Sequence, residues 1–395
     1  MKIYIITKVS FPYGLAATNR VKCLAKAFIE GGNDCKVIVF GRNSETETAS
    51  PEGVFEGVPY QYLGGSSKRA KGNIKGRLQA FYLQICLVTN LLFHLKKGDF
   101  VCSYINKNNY LRRLIIVLTH FKKGFFISEL CELPFGTGEE TGEAKKGREY
   151  ELTRLFPHYD GIIAISETLK ELAEQHCNSH CVITKVPILV DFDNYNLPDK
   201  TAEADYPYIF HSGTLYEQKD GILGMIEAFG IAQKELAIPV HFILTGRKES
   251  SPHRKEIDAL IEKYQMADRI HFVGYLQHYE LKERLSMASL VIINKYPTQQ
   301  NVFCFSTKLG EYTAAGKPII ITKVGEAMNW LTANKDCLMV EPNNKEQLVE
   351  SIKNVFEHPE VAKSIGDEAR ITCRHSFVYG AYASVLNSML TSIAK

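Results

Sequence analysis

The chain has 395 residues, 45% apolar and 23% charged. That is close to the soluble globular average and excludes a collagenous, coiled-coil or largely disordered chain. At ~150 residues per domain, the length accommodates two domains whose cores need no disulfide or metal staple. The net charge of +3 is uneven: residues 1–190 carry 25 Lys and Arg against 18 Asp and Glu, the remainder 22 against 26. This is too mild for a nucleic-acid binder, while the basic first half fits an anionic partner.

The opening MKIYIITKVSFPYG is a short β-rich run without the apolar core or small-residue cleavage site of a signal peptide. The longest apolar run, Phe81 to Leu95, is interrupted by Gln84, Thr89, Asn90 and His94. It falls short of the ~18–20 residues of a membrane span. Ten cysteines are scattered, several in apolar runs (Cys35, Cys86, Cys102, Cys337), the pattern of reduced thiols in a cytoplasmic protein.

In chain order, strands are expected at Ile3–Thr7, Cys35–Phe40, Phe100–Tyr104, Phe125–Ser128 and Gly161–Ile165. A helix over Ala17–Glu30 places Val21, Leu24, Ala25 and Phe28 on one face and stops at Gly31-Gly32. Residues 191–206 are polar and aperiodic and read as a linker. Strands resume at Tyr208–Ser212, His241–Thr245, Ile270–Val273, Leu290–Asn294, Pro318–Thr322 and Cys337–Val340, each followed by a helical pattern. The expected architecture is α/β, with two open parallel-sheet domains over residues 1–190 and 207–375. The final helix, about 376–395, is expected to return to the first domain. Ligands of such sheets bind outside the carboxyl ends of the strands, and the cleft between two such domains is the default site.

Several motifs fail on inspection. Ile3–Thr7 is followed by a loop with one glycine, Gly14, and not by GxGxxG; Gly136 to Gly142 is misspaced and carries Glu139-Glu140. Gly310 to Lys317 has five residues between its glycines, and GK is followed by Pro, so it is no Walker loop. His176, Cys177, His180 and Cys181 lack the second ligand pair of a structural zinc site. Asp191-Phe192-Asp193 falls in the expected linker, so no metal site is expected.

The informative stretch is STKLGEYTAAGKPIIIT, Ser306 to Thr322. Ser306 or Thr307 can cap a short helix whose N-terminus attracts an anion, with Lys308 alongside and Glu311 one turn in, placed to accept hydrogen bonds from a ribose diol. Two further loops bring glycine and cations to the same sheet edge: Gly213 to Gly221, with Thr214 and Lys219, and Gly246-Arg247-Lys248. A capped helix with a solvated Glu remains the plainer account of the first stretch.

These segments resemble the nucleotide-sugar domain of family 4 retaining glycosyltransferases, group 1 enzymes of the GT-B type, with two Rossmann-like domains facing a central cleft. The matching pieces are HSGTLYEQKDG, ILTGRKES, IHFVGYLQHYELKERLSMASLVI, FSTKLGEYTAAGKPIII and CLMVEPNNKEQLVESI. In the first half SFPYGLAATNRVKCLAKAF, SELCELPFG and YDGIIAISETLKELA are similar to the acceptor domain. The resemblance implies that Glu311 binds ribose and Lys219 the diphosphate. It further implies that the backbone at Tyr275-Leu276 reads the nucleobase and that Gly14 approaches the donor phosphates. Three departures stand out. Phe303 occupies the position of the first motif Glu. Thr214 replaces an arginine, for which Arg247 is a candidate substitute. Glu132, beside Cys131, is the candidate catalytic residue in place of a histidine.

The expected activity is transfer of a hexose-type sugar from a nucleoside diphosphate, UDP foremost, to a saccharide or lipid-diphosphate-linked saccharide. The resemblance implies retention and no cofactor or metal, and the expected setting is polysaccharide or cell-envelope synthesis. A non-catalytic nucleotide-sugar or saccharide-binding subunit and a sugar-nucleotide epimerase are the alternatives. A basic run, Lys68, Arg69, Lys71, Lys75 and Arg77, leads into the apolar segment Leu78–Leu95, with Lys96-Lys97 after it. Lys107, Arg112, Arg113, Lys122 and Lys123 are candidates to extend that surface. Peripheral contact with an anionic membrane is the expectation, with an ordinary core helix as the alternative.

Overall fold

The computed structural model describes residues 1–42, 49–105, 107–136, 141–195 and 206–395. They form two compact units, Met1–Val190 with Tyr379–Lys395, and Asp191–Val378.

In the first unit, strands β1 (Lys2–Thr7), β2 (Asp34–Val39), β3 (Glu52–Phe55), β4 (Val58–Tyr62), β5 (Phe100–Tyr104), β6 (Phe125–Leu130), β7 (Gly161–Ala164) and β8 (Val182–Lys185) form one sheet. Its order is β3-β4-β2-β1-β5-β6-β7-β8. Helices α1 (Ala16–Glu30), α2 (Asn73–His94), α3 (Asn109–Phe121), α4 (Gly142–Tyr150) and α5 (Glu167–His176) connect these strands. The central strands are buried on both faces, which is why they read as unbroken apolar runs. Ile5 lies between Val37 and Cys102 in a parallel ladder.

Contrary to expectation, the first sheet is not wholly parallel. β3 and β4 pair antiparallel through a Glu56-Gly57 turn with positive φ at both residues, the geometry of a tight hairpin. Two lysines of α1 hold that turn, with Lys22 and Lys26 3.0 and 2.8 Å from the Glu56 carboxylate.

The second unit contains β9 (Tyr208–His211), β10 (His241–Leu244), β11 (Ile270–Phe272), β12 (Leu290–Ile293), β13 (Ile319–Thr322) and β14 (Leu338–Val340). All are parallel, in the order β11-β10-β9-β12-β13-β14. Its helices are α6 (Glu217–Asp220), α7 (Ile222–Glu235), α8 (Arg254–Tyr264), α9 (His278–Met287), α10 (Gln299–Phe303), α11 (Thr307–Ala314), α12 (Lys345–Glu357) and α13 (Pro359–Ser376). Ile222, Met225, Ile226 and Phe229 of α7 pack with Ile209, Phe242 and Ile292 of the sheet in one core. Asp191 to Tyr195 belongs to this unit and buries Phe192 and Tyr195, so only part of the expected linker is left; residues 196–205 lie outside the described residues.

The last helix, α14 (Ala383–Ile393), belongs to the first unit and adds Leu386, Met389 and Leu390 to the core beside α1.

Candidate active site

In the second unit the site is built where β9 ends. His211 is its last residue, and the loop that follows is tied down at three successive amides. Ser212 N–H donates to the Tyr312 hydroxyl (2.9 Å), Gly213 N–H to Thr245 Oγ1 (2.8 Å), and Thr214 N–H to Asp220 Oδ2 (3.1 Å). The Thr214 hydroxyl adds a second bond to Asp220 at 2.8 Å. Tyr312 lies on α11 and is fully buried, so the loop after β9 and helix α11 are held as one piece.

Lys308, in the first turn of α11, closes an ion pair on Asp220. The Asp220 side chain is 3% exposed and that of Lys308 16%. Burial pushes the Asp220 carboxyl upward, but Lys308, His211 and Lys295 outweigh it and hold the group well below the usual carboxylate range. Gly213 lies beneath this pair. A Cβ there would lie 2.6 Å from Lys308 Nζ and 2.7 Å from His211 Nε2, so a side chain at this position would displace one of them.

His211 is itself fully buried. Its Nδ1 is 3.2 Å from the Ile292 carbonyl, which requires Nδ1–H and leaves Nε2 a lone pair; Nε2 is buried with no hydrogen-bond partner. Burial, reinforced by Lys308, lowers the imidazole to about 4, so it is neutral at physiological pH.

Lys295, just past β12, is a site residue that sequence reasoning missed. Its ammonium donates to Asn301 Oδ1 (3.0 Å) and reaches the Lys219 carbonyl (3.4 Å). Burial and the neighbouring Lys308 lower it to about 8. Asp220 is thus paired with Lys308 and feels Lys295 only at longer range, and the exposed Lys219 adds to the positive excess. A lysine immediately after a buried strand, LVIINK, was the available signal.

The other expected donor residues divide. Ser306 is the N-cap of α11, but its side chain makes no capping bond; the N–H groups of that turn are not closed off by it, and Thr307 is the first helical residue. Glu311 is half-buried on the same side of α11 as Thr307 and Lys308, opposite buried Leu309, Tyr312 and Thr313. Gly246 N–H donates to the Gly274 carbonyl at 2.7 Å, which joins the loops after β10 and β11 and leaves Arg247 and Tyr275 exposed on them, with Leu276 partly covered. Lys248 departs from expectation: it pairs with Asp258 of α8 at 2.6 Å and is spent there.

In the first unit Gly14 lies in the exposed loop before α1. A Cβ there would come within 2.1 Å of Thr18 Oγ1, which donates to the Ser10 carbonyl. Glu132 is half-buried just beyond β6. Beneath it is a buried pair the sequence reading passed over: Arg20 Nε is 2.9 Å from Glu129, with side chains 2% and 0% exposed. Arg20 also donates to the Val186 and Pro187 carbonyls, and the Cys131 thiol donates to Glu129. A charge inside a buried strand requires a partner, so FISEL itself was the signal.

His176 Nδ1 bonds the Leu172 carbonyl within its own helix. Among the described residues no group of three or more His, Cys, Asp or Glu is arranged to hold a metal ion.

Residues 194–372 match the family described as glycosyl transferases group 1. No curated protein matches the chain. Among solved structures, Anabaena HepE (Alr3699), described in complex with UDP and glucose, shares 15% identity at a TM-score of 0.72, covering 99% of this chain and 100% of that one. Sucrose-phosphate synthase of Thermosynechococcus elongatus shares 17% at 0.69, covering 98% and 97%. The lipopolysaccharide outer core galactosyltransferase WaaB, in its apo form, shares 15% at 0.63, covering 99% of each chain. These likenesses establish the GT-B fold. The second unit carries a group 1 glycosyltransferase domain over residues 194–372.

Proposed function

We propose that the enzyme transfers a hexose-type sugar from a nucleoside-diphosphate sugar, with uridine as the base, to a saccharide acceptor, with retention and without a metal. The observation that carries the reading is the positive excess at the carboxyl edge of the second sheet. Lys308 pairs with the buried Asp220 beside the N-terminus of α11, and the buried Lys295, bonded to Asn301 and to the Lys219 carbonyl, adds a second cation close by, with Lys219 adjoining. An arriving diphosphate relieves that excess, and the same groups stabilise it as the leaving group. Anabaena HepE, with UDP and glucose in its described complex, supports a uridine donor. Glu311 would accept from the ribose diol, the Tyr275-Leu276 backbone would read the base, and Arg247 and Gly14 would meet the phosphates.

In the transfer step the bond between the anomeric carbon and the diphosphate oxygen breaks, and a bond to an acceptor hydroxyl oxygen forms. The hydroxyl proton leaves to a carboxylate, for which Glu132 is the candidate. The acceptor is a free or lipid-diphosphate-linked saccharide in envelope or polysaccharide synthesis.

Calorimetry of UDP, GDP and ADP in EDTA, together with hydrolysis of UDP-sugars by the pure enzyme, tests this. UDP is expected to bind without metal, and Lys219→Ala and Glu311→Ala each to weaken it about tenfold or more, while Glu132→Ala lowers kcat and spares UDP affinity. Loss of binding in EDTA with rescue by Mn²⁺, or an unchanged kcat in Glu132→Ala, would overturn the corresponding part.

A further inference from the structure

We propose that the outer faces of α2 and α3 form a docking surface for an anionic phospholipid bilayer. α2 buries Leu83, Leu87 and Leu91 on one side. On the other, Ile74, Leu78, Phe81 and Ile85 are 77%, 64%, 65% and 47% exposed; their i, i+4, i+7, i+11 spacing makes one continuous stripe. α3 repeats the spacing with Tyr110, Leu114, Val117 and Phe121, 88%, 39%, 55% and 74% exposed. The two helices pack on each other, and Lys122 Nζ donates to the Leu92 carbonyl at 2.9 Å, joining their C-terminal ends. Ten of the 21 exposed large apolar side chains among the described residues lie on these two helices. That concentration is a patch and not the normal scatter.

Charge selects the occupant. From Ser66 to Gly98 the chain has seven Lys and Arg and no Asp or Glu. Lys75 and Arg77 are exposed and fall on either side of the α2 stripe. A second copy docked by this face would set like charge against like. A bilayer offers apolar depth for the stripes and anionic headgroups for the cations. No helix among the described residues is long and apolar enough to cross a membrane, so the pair lies in the interface plane. Arg112, expected on this surface, is not on it; it is buried against Glu151 and the Ile105 carbonyl. Docking stands independently of the donor reading; only its consequence, that the acceptor is held in the same membrane, rests on the proposed transfer.

The test is co-sedimentation of the full chain with vesicles of phosphatidylcholine alone and of phosphatidylcholine and phosphatidylglycerol in equal parts. Binding to the anionic vesicles is expected to be roughly tenfold or more tighter and to weaken with salt. The Leu78→Ser/Phe81→Ser and Lys75→Glu/Arg77→Glu variants should each lose at least about tenfold. Their melting temperatures should stay at the wild-type value, since these side chains are exposed. No binding to anionic vesicles, or wild-type binding by both variants, overturns the proposal. So does a concentration-dependent dimer that Leu78→Ser/Phe81→Ser abolishes, which assigns the face to a second copy. UDP calorimetry on the same variants keeps this result separate from the donor reading, because both pairs belong to the first unit.

Discussion

Lys308 and Asp220 are 88 positions apart, yet they form the ion pair on which the second unit's site is assembled. One comes from the first turn of α11, the other from the end of α6, and the pair locks the loop after β9 against the helix. Removing the lysine leaves a buried carboxylate without its ion-pair partner. Lys308→Met should therefore cost about 3–5 kcal/mol. Asp220→Asn, which keeps an acceptor for Thr214, should cost less, about 1–3 kcal/mol. Urea unfolding of both variants checks the order; equal losses would mean that the carboxylate is not held by the lysine.

His211 makes stability depend on pH. Its folded value of about 4 lies below the ordinary imidazole value of 6.5, so the unfolded chain binds more protons between the two. Stability is complete above about pH 6.5 and declines as pH falls toward 4, by up to about 3 kcal/mol from this group. His211→Asn retains a donor for the Ile292 carbonyl but does not titrate. Denaturation midpoints of the two proteins should converge as the pH is lowered through this window; parallel curves would exclude His211 as the source.

Gly221 joins α6 to α7 at φ +60°, and a Cβ there would be 2.5 Å from the Asn294 carbonyl oxygen. Gly65 has φ +67° with open space around it. Gly65→Ala should therefore cost only the backbone penalty, about 1 kcal/mol, and Gly221→Ala about 2–4 kcal/mol, because the clash adds to it. Thermal melts of the two variants compare these terms directly.

The Arg20–Glu129 pair should behave as a buried unit of the first domain. Arg20→Met strands a carboxylate with 0% side-chain exposure and should cost about 3–5 kcal/mol, whereas Arg20→Met/Glu129→Leu should recover most of that loss. A double mutant as unstable as Arg20→Met alone would show that Arg20 acts mainly through the Val186 and Pro187 carbonyls.

The sequence by itself determined the elements whose signals are local. Buried parallel strands must be apolar on both faces, so β1, β5, β7, β9 and β12 were legible as short runs and needed only trimming at their ends. Glycine and cation placement in the loops after β9 and β10 was legible for the same reason. The β3–β4 hairpin was not: β3 is largely exposed, and its Glu56-Gly57 turn takes a left-handed backbone that glutamate does not advertise. Only the tertiary structure decided which charges are spent. Lys248 goes to Asp258 and Arg112 to Glu151, while Lys295, Lys308 and Asp220 converge from three separate segments. It also decided that α2 turns an apolar stripe outward as well as one inward. Periodicity along a helix reveals its faces, but which face meets a neighbour is set by packing partners distant in the chain.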